Sequence, residues 1–233
     1  MRPFEEEFRR LNNTLLEMGT LVAQSVHRSV YALVDKNEDY AHQVIRDEAR
    51  VDQMEIQIDD MAASLIVREQ PVASDMRLVV AVIKIDTDLE RMGDLAVSIV
   101  EKALSLIRQP PLAAPLDVTE LVALVESMVL GCLDAFVKRD AEIARSVIAS
   151  DDQVDSVRSR LSAELVSLMQ GDPGSVTRAL DYMTVIRSLE RIADHTTNIA
   201  EEVIFLIQGI DVRHRRANSP EVSDSDAFVS SMA

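Results

Sequence analysis

Apolar residues recur every three or four positions along most of the chain, a spacing that predicts long amphipathic helices. We predict a first helix from Phe4 to about Val34, a second from about Glu38 to Glu69, and a third from Asp75 to about Arg108. Asn37 is a suitable N-cap for the second helix and Ser74 for the third. Helices of about 30 residues are about 45 Å long, and short turns between them favour an up-down bundle.

A proline-rich linker at residues 109–116 ends this first set of helices. It contains Pro110, Pro111 and Pro115, which stop the third helix and stiffen the connection. The segment from Asp117 to Glu120 is typical of a capping box, and we predict that a fourth helix begins there.

The helical pattern then starts again as a copy of the first half. Ala32-Leu33-Val34 aligns with Ala135-Phe136-Val137 at an offset of 103, and the offset falls to 100 in the last helix. A repeat of this length indicates a duplicated domain. We therefore predict an all-α fold of two tandem, pseudo-symmetric three-helix up-down bundles, at residues 1–108 and 117–210, with a disordered tail at 211–233.

The clearest repeated element is an acidic motif. Leu89-Glu90-Arg91-Met92-Gly93-Asp94 in the third helix returns as Leu189-Glu190-Arg191-Ile192-Ala193-Asp194 in the sixth. Each copy places two acids four residues apart, and Glu101 or Glu201 follows seven residues later. These acids share one helix face, with Asp86 about 40° to the side of Glu90, and the apolar stripe lies elsewhere. We therefore expect the acids to lie outside the core.

The second helix carries a matching line of acids. Glu48, Asp52, Glu55 and Asp59 fall on one side of that helix, with no basic residue in the line. Like charges four residues apart cost roughly 0.2–0.5 kcal/mol per pair, so a cation at this face would offset a real repulsion. The fifth helix keeps the line only in part, since Asp151 and Asp155 are followed by Arg158 and Ser162.

Two interpretations of these acids remain open. A solvated face is the ordinary explanation of a charge run. Acids on two helices of each half instead favour a metal site built from carboxylates, which hard cations, iron and manganese accept. The position of Arg158 predicts that the second site is poorer than the first. Arg91 and Arg191 are candidate contacts for phosphate or a partner's acids, although an ion pair across helices is the more common role of a surface arginine. His195 points about 100° away from the acids, which indicates a surface or interface histidine.

Composition narrows the classes of function. A formal net charge of −16 repels nucleic acid and anionic lipid and attracts basic protein surfaces. The single cysteine, Cys132, cannot form an internal disulfide and fits a reducing compartment. The N-terminus has no apolar signal segment, and the longest apolar run near the middle, Leu78 to Ile83, is too short to span a bilayer. We expect a cytoplasmic protein that does not bind nucleic acid.

Three segments resemble the PhoU family of bacterial phosphate-transport accessory proteins. They are QPVASDMR at residues 70–77, DLERMGD at 88–94 and ERIADHTTNIAEEVI at 190–204, and GIDVRH at 209–214 resembles the end of that family's fold. The resemblance implies two three-helix bundles and a negative regulator of the phosphate-starvation response. It implies coupling of a phosphate ABC transporter, through its ATPase subunit, to a sensor histidine kinase, with membrane contact through these partners only.

The resemblance also implies a cofactor and an oligomeric state. Some members of the family carry multinuclear iron or zinc clusters on paired E(D)xxxD motifs, and manganese or magnesium would suit the same ligands. Members often form homodimers. The metal ligands implied for this chain are Glu48 and Asp52 with Glu90 and Asp94, and Asp151 and Asp155 with Glu190 and Asp194.

Two alternatives belong to other classes of protein. The first is a metal-free helical scaffold whose acids provide solubility and bind a basic partner. The second is a di-iron carboxylate enzyme, a class that uses Glu-x-x-His pairs pointing into a bundle core. The sequence contains no Glu-x-x-His, so we expect no enzymatic activity of this kind.

Overall fold

The computed structural model describes residues 3–112 and 116–212. Within these two ranges the chain is almost entirely helical and forms no strand, which confirms the predicted all-α fold of two three-helix bundles. A short 3-10 turn, Pro173–Ser175, precedes the last helix. The long helices are α1 (Pro3–Val34), α2 (Glu38–Glu69), α3 (Ala73–Ile107), α4 (Thr119–Lys138), α5 (Ala141–Gly171) and α6 (Val176–Gln208).

The helix ends show where local sequence signals hold and where they fail. Asn37 caps α2 as predicted, because its side chain accepts the Asp39 N–H. Ser74 was the wrong choice for α3. Val72 has an extended backbone and is the N-cap residue, and its carbonyl accepts the N–H groups of Asp75 and Met76, so Ser74 lies inside the first turn.

The capping box predicted for α4 does not form. The N-cap residue is Val118, which makes no side-chain cap bond, and the side chain of Asp117 accepts the Thr119 N–H at 2.9 Å. Glu120 forms an ion pair with Arg160 of α5. This end of α4 is therefore held by a side-chain bond from its own loop and by a contact with the neighbouring helix.

The two bundles pack directly against each other. Helix α3 lies along α6, and α1 crosses α4. Lys84 near the start of α3 pairs with Glu202 near the end of α6 at 2.9 Å, and Lys102 further along α3 pairs with Asp181 near the start of α6 at 3.5 Å. These pairs show that α3 and α6 run antiparallel. We call this α3–α6 contact, with its polar pairs, the seam.

A histidine also joins the two halves across the seam. His195 Nδ1 lies 2.7 Å from Asp88 Oδ1, and the Asn198 amide donates to the same oxygen at 3.2 Å. The histidine is thus an interface residue, as its position on the helix indicated.

The linker is held by contacts to α6. The Arg178 guanidinium donates to the carbonyls of Pro110 and Pro111, at 2.8 and 2.9 Å. No helix in the described ranges has the length and apolarity needed to cross a membrane. Of the tail predicted to be disordered at 211–233, residues 213–233 lie outside the described residues.

The seam generates a test of stability. Lys84→Met keeps an unbranched apolar stem but removes the ammonium that the buried Glu202 carboxylate contacts. We expect a loss of about 1.5–3 kcal/mol in unfolding free energy, the range for a hydrogen bond to a charged group. Urea denaturation followed by circular dichroism measures it.

Lys102→Met is the matched control for that test. Asp181 also accepts hydrogen bonds from Ser105 and Gln109, so its carboxylate keeps donors when the lysine is lost. We expect a loss below about 1 kcal/mol. Equal losses in the two variants would contradict the special role of the Lys84–Glu202 pair.

Candidate functional site

Helices α2 and α3 approach each other closely beside a glycine. A β-carbon built on Gly93 would lie 3.5 Å from Val51 Cγ1, so the two backbones are separated by little more than one valine. The acids predicted from the sequence flank this contact. We call them the first acidic face: Glu48, Asp52, Glu55 and Asp59 of α2 with Asp86, Glu90, Asp94 and Glu101 of α3.

Repulsion between the two helices shows that these acids lie together. Burial raises the pKa of Glu48, and the charges of Asp52, Asp94 and Glu101 raise it further. Burial likewise raises the pKa of Glu90, to which Asp94, Glu55 and Asp52 add, while Arg91 lowers it. Acids predicted separately on α2 and α3 therefore form one electrostatic unit across the helix contact.

Acids of the two helices also repel one another at the Asp59 end of the first acidic face. Burial raises the pKa of Glu55, with further increases from Asp59, Asp52 and Asp94, and Arg91 opposes them. Glu55 thus links the Glu48 end of the line to Asp59 and Asp86.

Asp86 departs from the sequence prediction. Its side chain is 1% exposed, so the expectation that the acids lie outside the core is wrong at this position. Burial raises its pKa to about 8, and the charges of Asp59, Glu55 and Glu90 contribute. Its Oδ1 is buried and has no hydrogen-bond partner among the described residues. A buried oxygen that lacks a donor is costly, so this end of the face is suited to a proton or a cation.

Arg91 compensates part of this charge from within α3. Its Nε lies 3.4 Å from Glu90 and its Nη1 lies 3.8 Å from Asp94. The ion pairs thus stay on one helix and do not cross to another. Arg191, its counterpart in the second half, is exposed on α6, and a partner contact at either arginine stays a prediction.

The second half also gathers its acids between two helices. Burial raises the pKa of Asp194 to about 6, and Glu190, Asp151 and Asp155 raise it further while His195 lowers it. Glu201 is half-buried two turns further along α6. We call Asp151 and Asp155 of α5 with Glu190, Asp194 and Glu201 of α6 the second acidic face.

A guanidinium lies within the second acidic face. Arg158 Nη2 is 3.2 Å from Asp155 Oδ1 on its own helix and 3.8 Å from Glu190 Oε1 on α6. The residue equivalent to Asp86 is Ile186, which is 1% exposed. Nothing in the acidic motif itself signals this difference, because Glu190 and Asp194 keep the spacing of Glu90 and Asp94.

The two faces differ in how they fit a metal ion. Across residues 3–112 and 116–212, no three His, Cys, Asp or Glu side chains converge tightly enough to hold one ion. The first face nevertheless offers only oxygen donors, including the unpartnered Asp86 Oδ1, and this donor set fits a hard cation, iron or manganese. Zinc fits it less well, since structural zinc prefers sulfur and nitrogen ligands. The second face fits a cation less well, because the Arg158 guanidinium lies between Asp155 of α5 and Glu190 of α6.

Comparison with known proteins identifies relatives across nearly the whole chain. Residues 15–103 and 118–203 each match the family model of the PhoU domain. The phosphate-specific transport system accessory protein PhoU homolog of Pseudomonas aeruginosa is 39% identical over 212 residues, covering 91% of this chain and 88% of the relative. The two matched segments fall one in each bundle, in agreement with the duplication.

Two crystal structures share the fold. PhoU from Pseudomonas aeruginosa aligns with a TM-score of 0.86 and 38% identity, covering 89% of this chain and 100% of that one. The phosphate transport system regulatory protein PhoU from Streptococcus pneumoniae aligns with a TM-score of 0.83 and 30% identity, covering 90% and 99%. The match includes both bundles and their packing.

The buried Asp86 predicts an unusual dependence of stability on pH. Its pKa is higher in the folded than in the unfolded chain, so folding binds a proton and stability falls as pH rises from about 4 to 8. We expect Asp86→Asn to stabilise the chelator-treated protein at pH 8 by on the order of 2 kcal/mol, with a smaller gain at pH 5. Urea unfolding at both pH values measures the difference.

Asp60→Asn provides the control, since Asp60 is an exposed acid of α2 outside the first acidic face. Its replacement should change stability by less than about 0.5 kcal/mol at either pH. A gain for Asp86→Asn that is the same at pH 5 and pH 8 would show that the effect does not come from ionisation.

Proposed function

We propose, because the chain belongs to the PhoU family, that it is an accessory protein of a phosphate-specific transport system and a negative regulator of the phosphate-starvation response. One observation carries the proposal: two PhoU domains, in order, span the two bundles, and full-length relatives with this name match both. The role is that of a regulator that works by binding, with no chemical reaction of its own.

The partners follow from the resemblance and from the charge. We propose that the chain contacts the ATPase subunit of the phosphate transporter and a sensor histidine kinase, in the cytoplasm and at the membrane only through them. A net charge of −16 and two acidic faces suit basic surfaces on such partners. A homodimer is part of the proposal, on the basis of the family alone.

The first acidic face is the proposed metal-binding part of this regulator. Glu48, Asp52, Glu90 and Asp94 would hold the ion, with Glu55, Asp59, Asp86 and Glu101 beside them. A bound cation supplies the positive charge that offsets their repulsion. The charge that this face presents to a partner would then depend on the cation. Without it the carboxylates attract a basic partner surface, and with it that attraction is reduced.

A metal-free scaffold is the second candidate, and two observations favour it. The carboxylates of the described residues do not converge on one point, and Arg91 already compensates Glu90 and Asp94. In this case the acids bind a basic partner directly. A di-iron enzyme has less support, because no Glu-x-x-His occurs in the sequence and most of the acids lie outside the core.

Metal content separates the first two candidates. We expect the protein purified from its own cells to carry iron, zinc or manganese, and Asp52→Asn with Asp94→Asn to lower that content at least tenfold, because two anionic donors are lost. Elemental analysis by mass spectrometry measures it. Asp39→Asn with Asp60→Asn removes the same charge from exposed positions of α2 and should leave the content unchanged. Metal-free wild-type protein would favour the scaffold.

Regulation tests the proposed role itself. In cells grown with ample phosphate, deletion of the gene should switch on a phosphate-starvation reporter, and the wild-type chain should silence it again. Glu90→Ala with Asp94→Ala should restore repression poorly. Asp94 is about half exposed but Glu90 is only 17% exposed, so circular dichroism must first show that the variant is folded. Co-purification with the transporter ATPase and the kinase identifies which contact is lost. Full repression by this variant would exclude the acidic pair from the mechanism.

A further inference from the structure

We propose that Arg158 is a built-in cation of the second acidic face, so that this face takes no metal ion and remains compensated by the protein itself. The idea that the first face binds metal rests on the proposed function. The assignment of Arg158 rests on contacts within the second bundle. The two can therefore be tested separately.

The two acidic faces differ at three equivalent positions. In the first bundle Glu55, Asp59 and Asp86 lie close enough for their charges to repel one another. Their counterparts in the second bundle, by the offsets of 103 and 100 residues, are a cation, a hydroxyl and an alkyl group: Arg158, Ser162 and Ile186. At these three positions the carboxylates of the first bundle are replaced by a cation and two uncharged groups, while Asp151, Asp155, Glu190 and Asp194 are kept.

The arginine lies between one acid of α5 and one acid of α6. Its Nη2 contacts Asp155 one turn earlier on α5 and reaches Glu190 across the helix contact. Its Nε is buried and makes no hydrogen bond within the described residues, so the stem lies against the protein while the tip faces the acids. A guanidinium stays charged at any physiological pH, so this compensation is permanent.

A metal ion at the second face would have to displace that arrangement. It would lie near a fixed positive charge and would compete with Arg158 for Asp155 and Glu190. Ile186 offers no donor at the position where the first face has the buried Asp86 oxygen. The pseudo-symmetric chain therefore has one face that responds to cations and one whose charge is fixed.

The experiment uses Mn²⁺ alone as the probe, with the full chain stripped by a chelator. The parent carries Asp52→Asn and Asp94→Asn, which disables the first face, and calorimetry with Mn²⁺ electron paramagnetic resonance reports binding. Arg158→Gln in this parent should gain a site at least tenfold tighter than any site of the parent. Arg160→Gln is the control, because Arg160 lies on the same helix but pairs with Glu120 and Glu164. It should gain nothing.

A conservative variant separates charge from shape. Arg158→Lys keeps a cation and should bind Mn²⁺ as poorly as the parent. Gain of binding in Arg158→Lys equal to that in Arg158→Gln would overturn the proposal, as would a folded Arg158→Gln that binds no better than the parent. Tight Mn²⁺ binding at the second face of the parent would overturn it too.

The melting temperature provides a second measurement that does not depend on calorimetry. In the same parent, Mn²⁺ should raise the melting temperature of Arg158→Gln more than potassium salt of equal ionic strength does, and it should give Arg160→Gln no such specific gain. If Arg158→Gln does not fold without metal, recovery of its helical signal on adding Mn²⁺ supports the proposal, and failure to recover contradicts it. If the first face of the wild-type protein does not bind Mn²⁺, the proposed metal function is refuted. The Arg158 variants still test the role of Arg158.

Discussion

Helix α3 contacts three other helices at once, and this constraint determines where charge can lie. It packs on α1 and α2 within its own bundle and on α6 across the seam, and α6 is surrounded in the same way by α4, α5 and α3. A helix covered on three sides retains only a narrow strip toward solvent. Acids along α3 must therefore share that strip or enter a contact, and within the first acidic face Asp86 is the buried one.

The same crowding ties the acidic faces to the seam. Asp88 lies between Asp86 and Glu90 in sequence but points to the other bundle, where it binds His195. His195 in turn directly follows Asp194 of the second acidic face. Helices α3 and α6 are each continuous. Each one therefore carries both acids of an acidic face and residues that join the two bundles.

Much of the fold was predictable because it depends on local and periodic signals. The limits of α2 follow from Asn37 and from apolar spacing alone, and the duplicated motif implies two similar bundles. The Ser74 cap failed because α3 begins at Ala73, with Val72 as the N-cap residue and without a side-chain cap. The seam could not be predicted, since Lys84 and Glu202 are 118 residues apart and a salt bridge leaves no periodic pattern. The buried position of Asp86, near Asp59 and Glu55 of α2, likewise depends on how two helices pack and could not be predicted from spacing.

The acidic motif illustrates why spacing alone does not define a binding site. Glu90 with Asp94 and Glu190 with Asp194 have the same spacing on the same kind of helix. Their chemistry is decided by the neighbouring helix, which brings Glu55 to one pair and Arg158 to the other. Both pairs also have a guanidinium beside them, but Arg91 lies on the same helix as Glu90 and Asp94, whereas Arg158 reaches Glu190 from the facing helix. The motif is the same in both halves, and the residues of the facing helix are what distinguish the two copies.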